Sequence, residues 1–136
     1  MRLHVTAVAR HGSGGWRAVL LRGPSGSGKS DLALRLIGGG WRLVGDDYVE
    51  VWASGGRLYA AAAPNIAGLI EARGVGLRPC APLALARVSL LADCVSGEPE
   101  RLPEFEAEIL ADVAVPRLRL RALEASAPEK VAMALG

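Results

Sequence analysis

The sequence predicts an α/β fold with a mixed sheet and few helices, in one domain spanning residues 1–136. Three observations carry this. Short alternating or β-branched apolar segments outnumber those with helical periodicity. Glycine-rich turns such as HGSGG and SGG join neighbouring strands, which points to hairpins rather than the regular βαβ alternation of a doubly wound domain. Finally, GPSGSGKSD (Gly23 to Asp31) lies between an apolar strand and an amphipathic segment, the setting of a phosphate-binding loop.

Taken in order, Leu3–Ala9 alternates and is β-branched at Val5, Thr6 and Val8, so it reads as a strand. HGSGG turns the chain into a second strand, Trp16–Gly23. After the glycine-rich loop, SDLALRLI places Leu32, Leu34, Leu36 and Ile37 on a helix that Gly38–Gly40 end. WRLV is a short apolar strand leading to Asp46–Asp47, and Tyr48–Trp52 alternates again. SGG then leads to the hairpin partner RLYAAAA. Asn65–Ala72 reads as a short helix and RGVGLRP as a glycine-bearing loop. Leu83–Val95 is apolar and reads as a central strand, whereas SGEPERLPEFE is polar, proline-containing and expected to be mobile. VPRLRLRAL alternates. SAPEKVAMAL is a helix whose Ser126 and Glu129 have capping-box spacing.

Composition narrows the function. The chain is 51% apolar, yet no run approaches the roughly 18 apolar residues of a membrane span. The start carries no cleavage pattern of a signal peptide, so a cytoplasmic protein is expected. A net charge of +2 with mixed signs argues against a nucleic-acid partner. Cys80 and Cys94 lack metal-binding spacing and read as buried thiols. Among 16 basic residues only Lys29 and Lys130 are lysine, and Lys29 occupies the position where the loop motif needs one.

Gly23, Pro24, Ser25, Gly26, Ser27, Gly28, Lys29 and Ser30 satisfy G-x-x-x-x-G-K-[ST] at every fixed position. Glycines leave room for backbone N–H groups to surround phosphates at a helix N-terminus. Lys29 would reach the β and γ phosphates of ATP, and the Ser30 hydroxyl would ligate Mg²⁺. Asp46 and Asp47 follow the next strand, near the loop if the two strands are neighbours. One acid can hold the metal by way of water while the other accepts a proton from an attacking hydroxyl. In IEARGVG, Glu71 could complete a Mg²⁺ shell and Arg73 could stabilise charge on a transferred phosphoryl group, though an exposed ion pair serves equally. His4 could hydrogen-bond an active-site acid, and Arg101 lies in a loop.

GPSGSGKSDLALRLI, GWRLVGDDYVEV and IEARGVGL, in that order and spacing, resemble the HPr kinase/phosphorylase family, as does the opening LHVTAVA. The resemblance implies the P-loop kinase domain of the HPr kinase and phosphoenolpyruvate carboxykinase type, here as the catalytic domain alone, and a hexameric assembly. It implies an ATP-dependent serine kinase acting on HPr or an HPr-like carrier of the phosphotransferase system, in some members with reverse phosphorolysis. By matching motif, Gly23–Ser30 bind ATP, Ser30 and Glu71 hold Mg²⁺, and Asp47, with Asp46 behind it, is the acid/base group. His4 matches the family's active-site histidine and Arg101 the arginine after the central strand. Two stretches depart from the pattern. LRALEASAPEK stands where the family has a proline-glycine-arginine-asparagine segment tied to dephosphorylation, and RPCAPLALA follows IEARGVGL. A small-molecule P-loop kinase and a nucleotide-sensing module are the other readings of the loop.

Overall fold

A computed structural model describes residues 1–80 and 82–136, apart from the side chain of Asn65. The chain opens with β1 (Arg2–Leu3), β2 (Thr6–Gly12) and β3 (Gly15–Arg22), then the glycine-rich loop and helix α1 (Lys29–Gly38). Next come β4 (Arg42–Gly45), β5 (Val49–Ser54) and β6 (Arg57–Ala62). A single 3-10 turn, Pro64–Ile66, leads to β7 (Leu69–Ala72) and β8 (Gly76–Pro79). The remainder is β9 (Ala86–Cys94), β10 (Glu106–Leu110), β11 (Val113–Leu120) and α2 (Ala127–Leu135).

Among the described residues nine strands form one mixed sheet, with the order β1-β5-β6-β9-β3-β2-β4 and the β10–β11 hairpin joined through β11 to β9. The pairs β3–β9 and β9–β11 are parallel, and the other pairs in the sheet are antiparallel. Strand β9 changes neighbour along its length: its start pairs with β6 at Ala86 and Arg87, its end with β11 from Leu91 to Cys94. β7 and β8 form a separate two-stranded hairpin.

Period-2 alternation sends the two faces of the sheet into two cores. On one face Val8, Val19, Leu21, Leu43, Leu90 and Ala92 pack beneath the helices. Leu32, Ala33 and Leu36 of α1 return every three or four residues to that face, as do Ala127, Val131 and Leu135 of α2. On the other face Ala7, Leu20, Val44, Val51, Leu58 and Leu91 are enclosed as β5 and β6 fold over the sheet. Among the described residues no helix is long and apolar enough to cross a membrane.

The structure corrects the sequence reading in three places. Asn65–Ala72 is not a helix: after the 3-10 turn the chain becomes β7, and RGVGLRP supplies the tip and β8. Gly68, with φ +76°, breaks any helical continuation, and Ile70 alone of β7 enters the helix-side core, where its burial is worth about 2 kcal/mol. The capping box does not form, because Ser126 makes no side-chain bond to the first turn of α2 and only its carbonyl is used, by the Lys130 N–H. Glu106, the last residue of the polar segment, opens an additional strand, β10. Of the two thiols Cys94 is buried and Cys80 half-buried.

A charge cluster fastens the β10–β11 hairpin to the sheet. Arg22, directly before the glycine-rich loop, bonds both oxygens of Asp93 at 2.7 and 3.0 Å and both of Glu108 at 2.6 and 2.8 Å, while Arg117 also donates to Asp93. Burial opposes the charge on Asp93, but the bonds from Arg22 and Arg117 outweigh it and hold this carboxyl below its usual range. Glu108 is lowered chiefly by its bond from Arg22. Two lowered carboxyls stabilise the fold above the ordinary carboxylate range near pH 4, and that contribution disappears as pH falls through their lower folded values. Replacing Asp93 by Asn should therefore remove about 2 kcal/mol at pH 7, because the bonds from Arg22 and Arg117 then meet a neutral amide while Glu108 still holds Arg22. It should also flatten the acid limb of stability measured by urea unfolding between about pH 7 and 3. An unchanged acid limb would show that the cluster does not couple to folding.

Candidate active site

The glycine-rich loop leaves β3 at Gly23 and enters α1 at Lys29. Gly26 (φ +81°) and Gly28 (φ +95°) adopt left-handed backbone that side chains disfavour, and a Cβ on Gly26 would meet only open space. At Gly23 the reason is crowding: a Cβ would stand 2.7 Å from Ser27 Oγ and 2.8 Å from the Cys94 carbonyl. Ser27 Oγ is itself buried without a hydrogen-bond partner among the described residues. Lys29 is buried and donates Nζ–H to the Gly23 carbonyl at 2.6 Å, bridging the two ends of the loop. Beside it, burial pushes the Cys94 thiol up to about 11 against the pull of the Lys29 charge, so the thiol stays protonated at neutral pH.

The two aspartates part company. Asp46 is buried and accepts three hydrogen bonds, from Thr6 Oγ1 at 2.7 Å and Ser30 Oγ at 2.9 Å on one oxygen, and from the Glu71 backbone N–H at 3.0 Å on the other. Asp47 sits at the apex of a three-residue turn closed by Tyr48 N–H to the Asp46 carbonyl at 2.8 Å. Its φ of +71° is a strained value for a side-chain-bearing residue. The turn swings its carboxylate outward, where it meets His4 Nε2 at 2.7 Å. An ionised carboxylate only accepts, so His4 carries its proton on Nε2 in this contact. Tyr48 stacks on the His4 ring with centroids 4.9 Å apart.

A cleft of about 420 Å³ joins these groups. His4, Asp47, Glu71 and Arg73 line it together with the loop, the first turn of α1, Leu34 and Leu123, the last lying against Gly28. Asp46 stands behind Ser30 rather than in the cleft wall. Arg101 is exposed in the segment between β9 and β10 and does not line the cleft. The segment Leu120–Lys130 forms the end of β11, a turn that lays Leu123 against Gly28, and the first turn of α2. Sequence reasoning missed Thr6 and Leu123. Thr6 looked like any β-branched strand residue, and only the register of β2 against β4 reveals that its hydroxyl faces Asp46.

The donor set suits a phosphate chain with a divalent metal. Left-handed glycines shape a cradle, a ten-residue helix points its N-terminus into it, and one lysine and several hydroxyls surround it. Among the described residues no three acidic, histidine or cysteine side chains converge into a metal cage. Mg²⁺ is ordinarily held by one or two carboxylates together with phosphates, so the Ser30 hydroxyl and the Glu71 carboxylate, which line the cleft, fit it, whereas the buried Asp46 reaches that position only through Ser30.

Such a fold defines an α/β domain with one large mixed sheet and few helices. Residues 2–80 match the family model described as the HPr Serine kinase C-terminal domain, and the chain belongs to that family. It is 43% identical over 76 residues to an HPr kinase/phosphorylase of an Exiguobacterium species, covering 55% of this chain and 23% of that protein. To the HPr kinase/phosphorylase of Streptococcus thermophilus it is 36% identical over 131 residues, covering 87% of this chain and 41% of that protein. The chain thus spans less than half the length of these relatives. The structure of the Hpr(Ser) kinase/phosphatase from Coxiella burnetii superposes with a TM-score of 0.80 at 23% identity, covering 98% of this chain and 92% of that one, so the two share a fold.

The different environments of the aspartates predict different responses to mutation. Asp46→Ala should cost about 3 kcal/mol, because it strands the Thr6 and Ser30 hydroxyls and the Glu71 N–H. Asp47→Gly removes an exposed contact and relieves the left-handed backbone, and should leave stability within about 1 kcal/mol of the parent. Chemical denaturation of both variants checks this, and equal losses would contradict the division of roles.

Proposed function

We propose that this chain is the catalytic domain of an ATP-dependent serine kinase acting on HPr or an HPr-like phosphocarrier. One observation carries the reading: Asp47, turned outward and held by His4, opens into the same cleft as Lys29 and the N-terminus of α1. Family membership supplies the class of acceptor, since the similar proteins are named for HPr.

When bound, ATP with Mg²⁺ supplies the transferable phosphoryl group and neutralises its charge. The loop N–H groups and the Lys29 ammonium bind the phosphates, and Ser30 and Glu71 hold the metal. Asp46 fixes the Ser30 hydroxyl and, through the Glu71 N–H, the start of the β7–β8 hairpin. His4 donates to one oxygen of Asp47, which leaves the other to take the proton of the acceptor serine. Arg73 brings a guanidinium to the rim, where charge builds on the group in transfer. A carboxylate is a weak base for an alcohol, so positioning and charge neutralisation provide most of the acceleration.

Asp47→Asn should lower phosphoryl transfer to HPr from γ-labelled ATP at least about 100-fold, with nucleotide affinity changed less than about threefold. Retained transfer would assign the base elsewhere. Lys29→Ala should abolish transfer through loss of nucleotide binding in the same titration, and near-normal phosphorylation would sink the loop assignment.

A further inference from the structure

The acid side of the cleft is accounted for by the reading above; its opposite rim is not. That rim is Leu123, which is 67% exposed although the backbone around it is firmly held. Arg35 donates to the Ala122 and Glu124 carbonyls on either side of it, the second at 3.0 Å. The same arginine is fixed by Asp31 at 3.0 Å, one helical turn earlier. Further bonds close the turn, from Glu124 N–H to the Arg121 carbonyl and from Ala127 N–H to the Glu124 carbonyl, both 3.1 Å. The leucine tip presses on the loop so closely that a Cβ on Gly28 would stand 2.8 Å from it. Leu34 lines the same cleft, so the two leucines give it an apolar part beside the glycine-rich loop that suits the apolar surface of a ligand.

Helix geometry says what that something is. Ser30 faces Asp46 and Glu71, whereas Asp31 and Arg35 form the neighbouring row, about 100° around the helix, and hold the Leu123 turn. The cleft therefore has an acid wall and an apolar wall, with the helix N-terminus between them. A nucleotide whose terminal phosphate faces Asp47 across Lys29 has to leave the loop with its nucleoside away from the acid wall. On the other wall, Arg35 bonds Asp31 and spends the rest of its guanidinium on the Ala122 and Glu124 carbonyls, so among the described residues this arginine is not left to read a base.

We propose that Leu123 is the nucleoside platform of this cleft, holding a purine nucleoside by apolar contact without base-specific hydrogen bonds. This rests on the reading of Gly23–Ser30 as a nucleotide loop. It implies a nucleotide site that grips phosphates strongly and bases indifferently, so ATP and GTP should bind within about fivefold of each other.

Calorimetric titration of the full chain with Mg²⁺ and ATP, GTP or inorganic tripolyphosphate tests it, because tripolyphosphate has no nucleoside. Leu123→Ala should weaken ATP and GTP about tenfold and leave tripolyphosphate unchanged, and Leu123→Met should restore the nucleotide affinities. Parallel thermal unfolding confirms that both variants fold. Equal weakening of all three ligands would mean that Leu123 only shapes the loop through Gly28, and unchanged nucleotide affinity would mean that it touches no nucleoside; either overturns the platform. A parent chain that binds neither nucleotide nor tripolyphosphate would overturn the nucleotide-loop reading itself, and the platform with it.

Discussion

A buried carboxylate does more than any other group to hold the site together. Asp46 gathers a hydroxyl from β2, a hydroxyl from the first turn of α1 and a backbone N–H from β7, three elements far apart in sequence. A charge removed from water is tolerable only when its lone pairs are used, and here at least three are. The β7–β8 hairpin lies outside the main sheet and is tied in by this bond and by Ile70 in the core, so the positions of Glu71 and Arg73 descend from Asp46. The same carboxylate holds Ser30 at the start of the helix that closes the glycine-rich loop.

The loop's other footing is the strand before it. Arg22 ends β3 inside the charge cluster with Asp93 and Glu108, and Gly23 follows immediately. The loop is therefore suspended between two strongly bonded ends. Its own geometry can stay open and glycine-rich because rigidity is supplied on either side.

Much of this was legible in the sequence, for local reasons. The loop motif, the flanking strand and α1 with its glycine stop are encoded within 26 consecutive residues, Gly15 to Gly40, so local pattern suffices. The distinct fates of Asp46 and Asp47 were not legible, since which acid turns inward depends on how β4 meets β2, a pairing that itself shifts register between Ala7 and Val8. β7 was misread because LIEA is made of residues that also favour helices, and its strand character comes from pairing with β8. β10 escaped because its hairpin turns at Ala111 and Asp112, both with positive φ, where an Asn-Gly pair would have announced the turn. Leu123 is invisible locally: its importance arises only when Arg35, 88 positions earlier, bonds the carbonyls beside it.

The left-handed turn at Asp47 bears on how such a site can decay. Glycine, asparagine and aspartate are the residues that occupy this backbone most readily, and of these aspartate alone is a carboxylate. Shape admits three residues, and only one of them carries a negative charge. Drift from aspartate to either alternative would erase the acid while the domain kept its fold, its loop and its hairpin. At this position such a change is structurally silent, and the altered domain would look intact everywhere except at one exposed side chain.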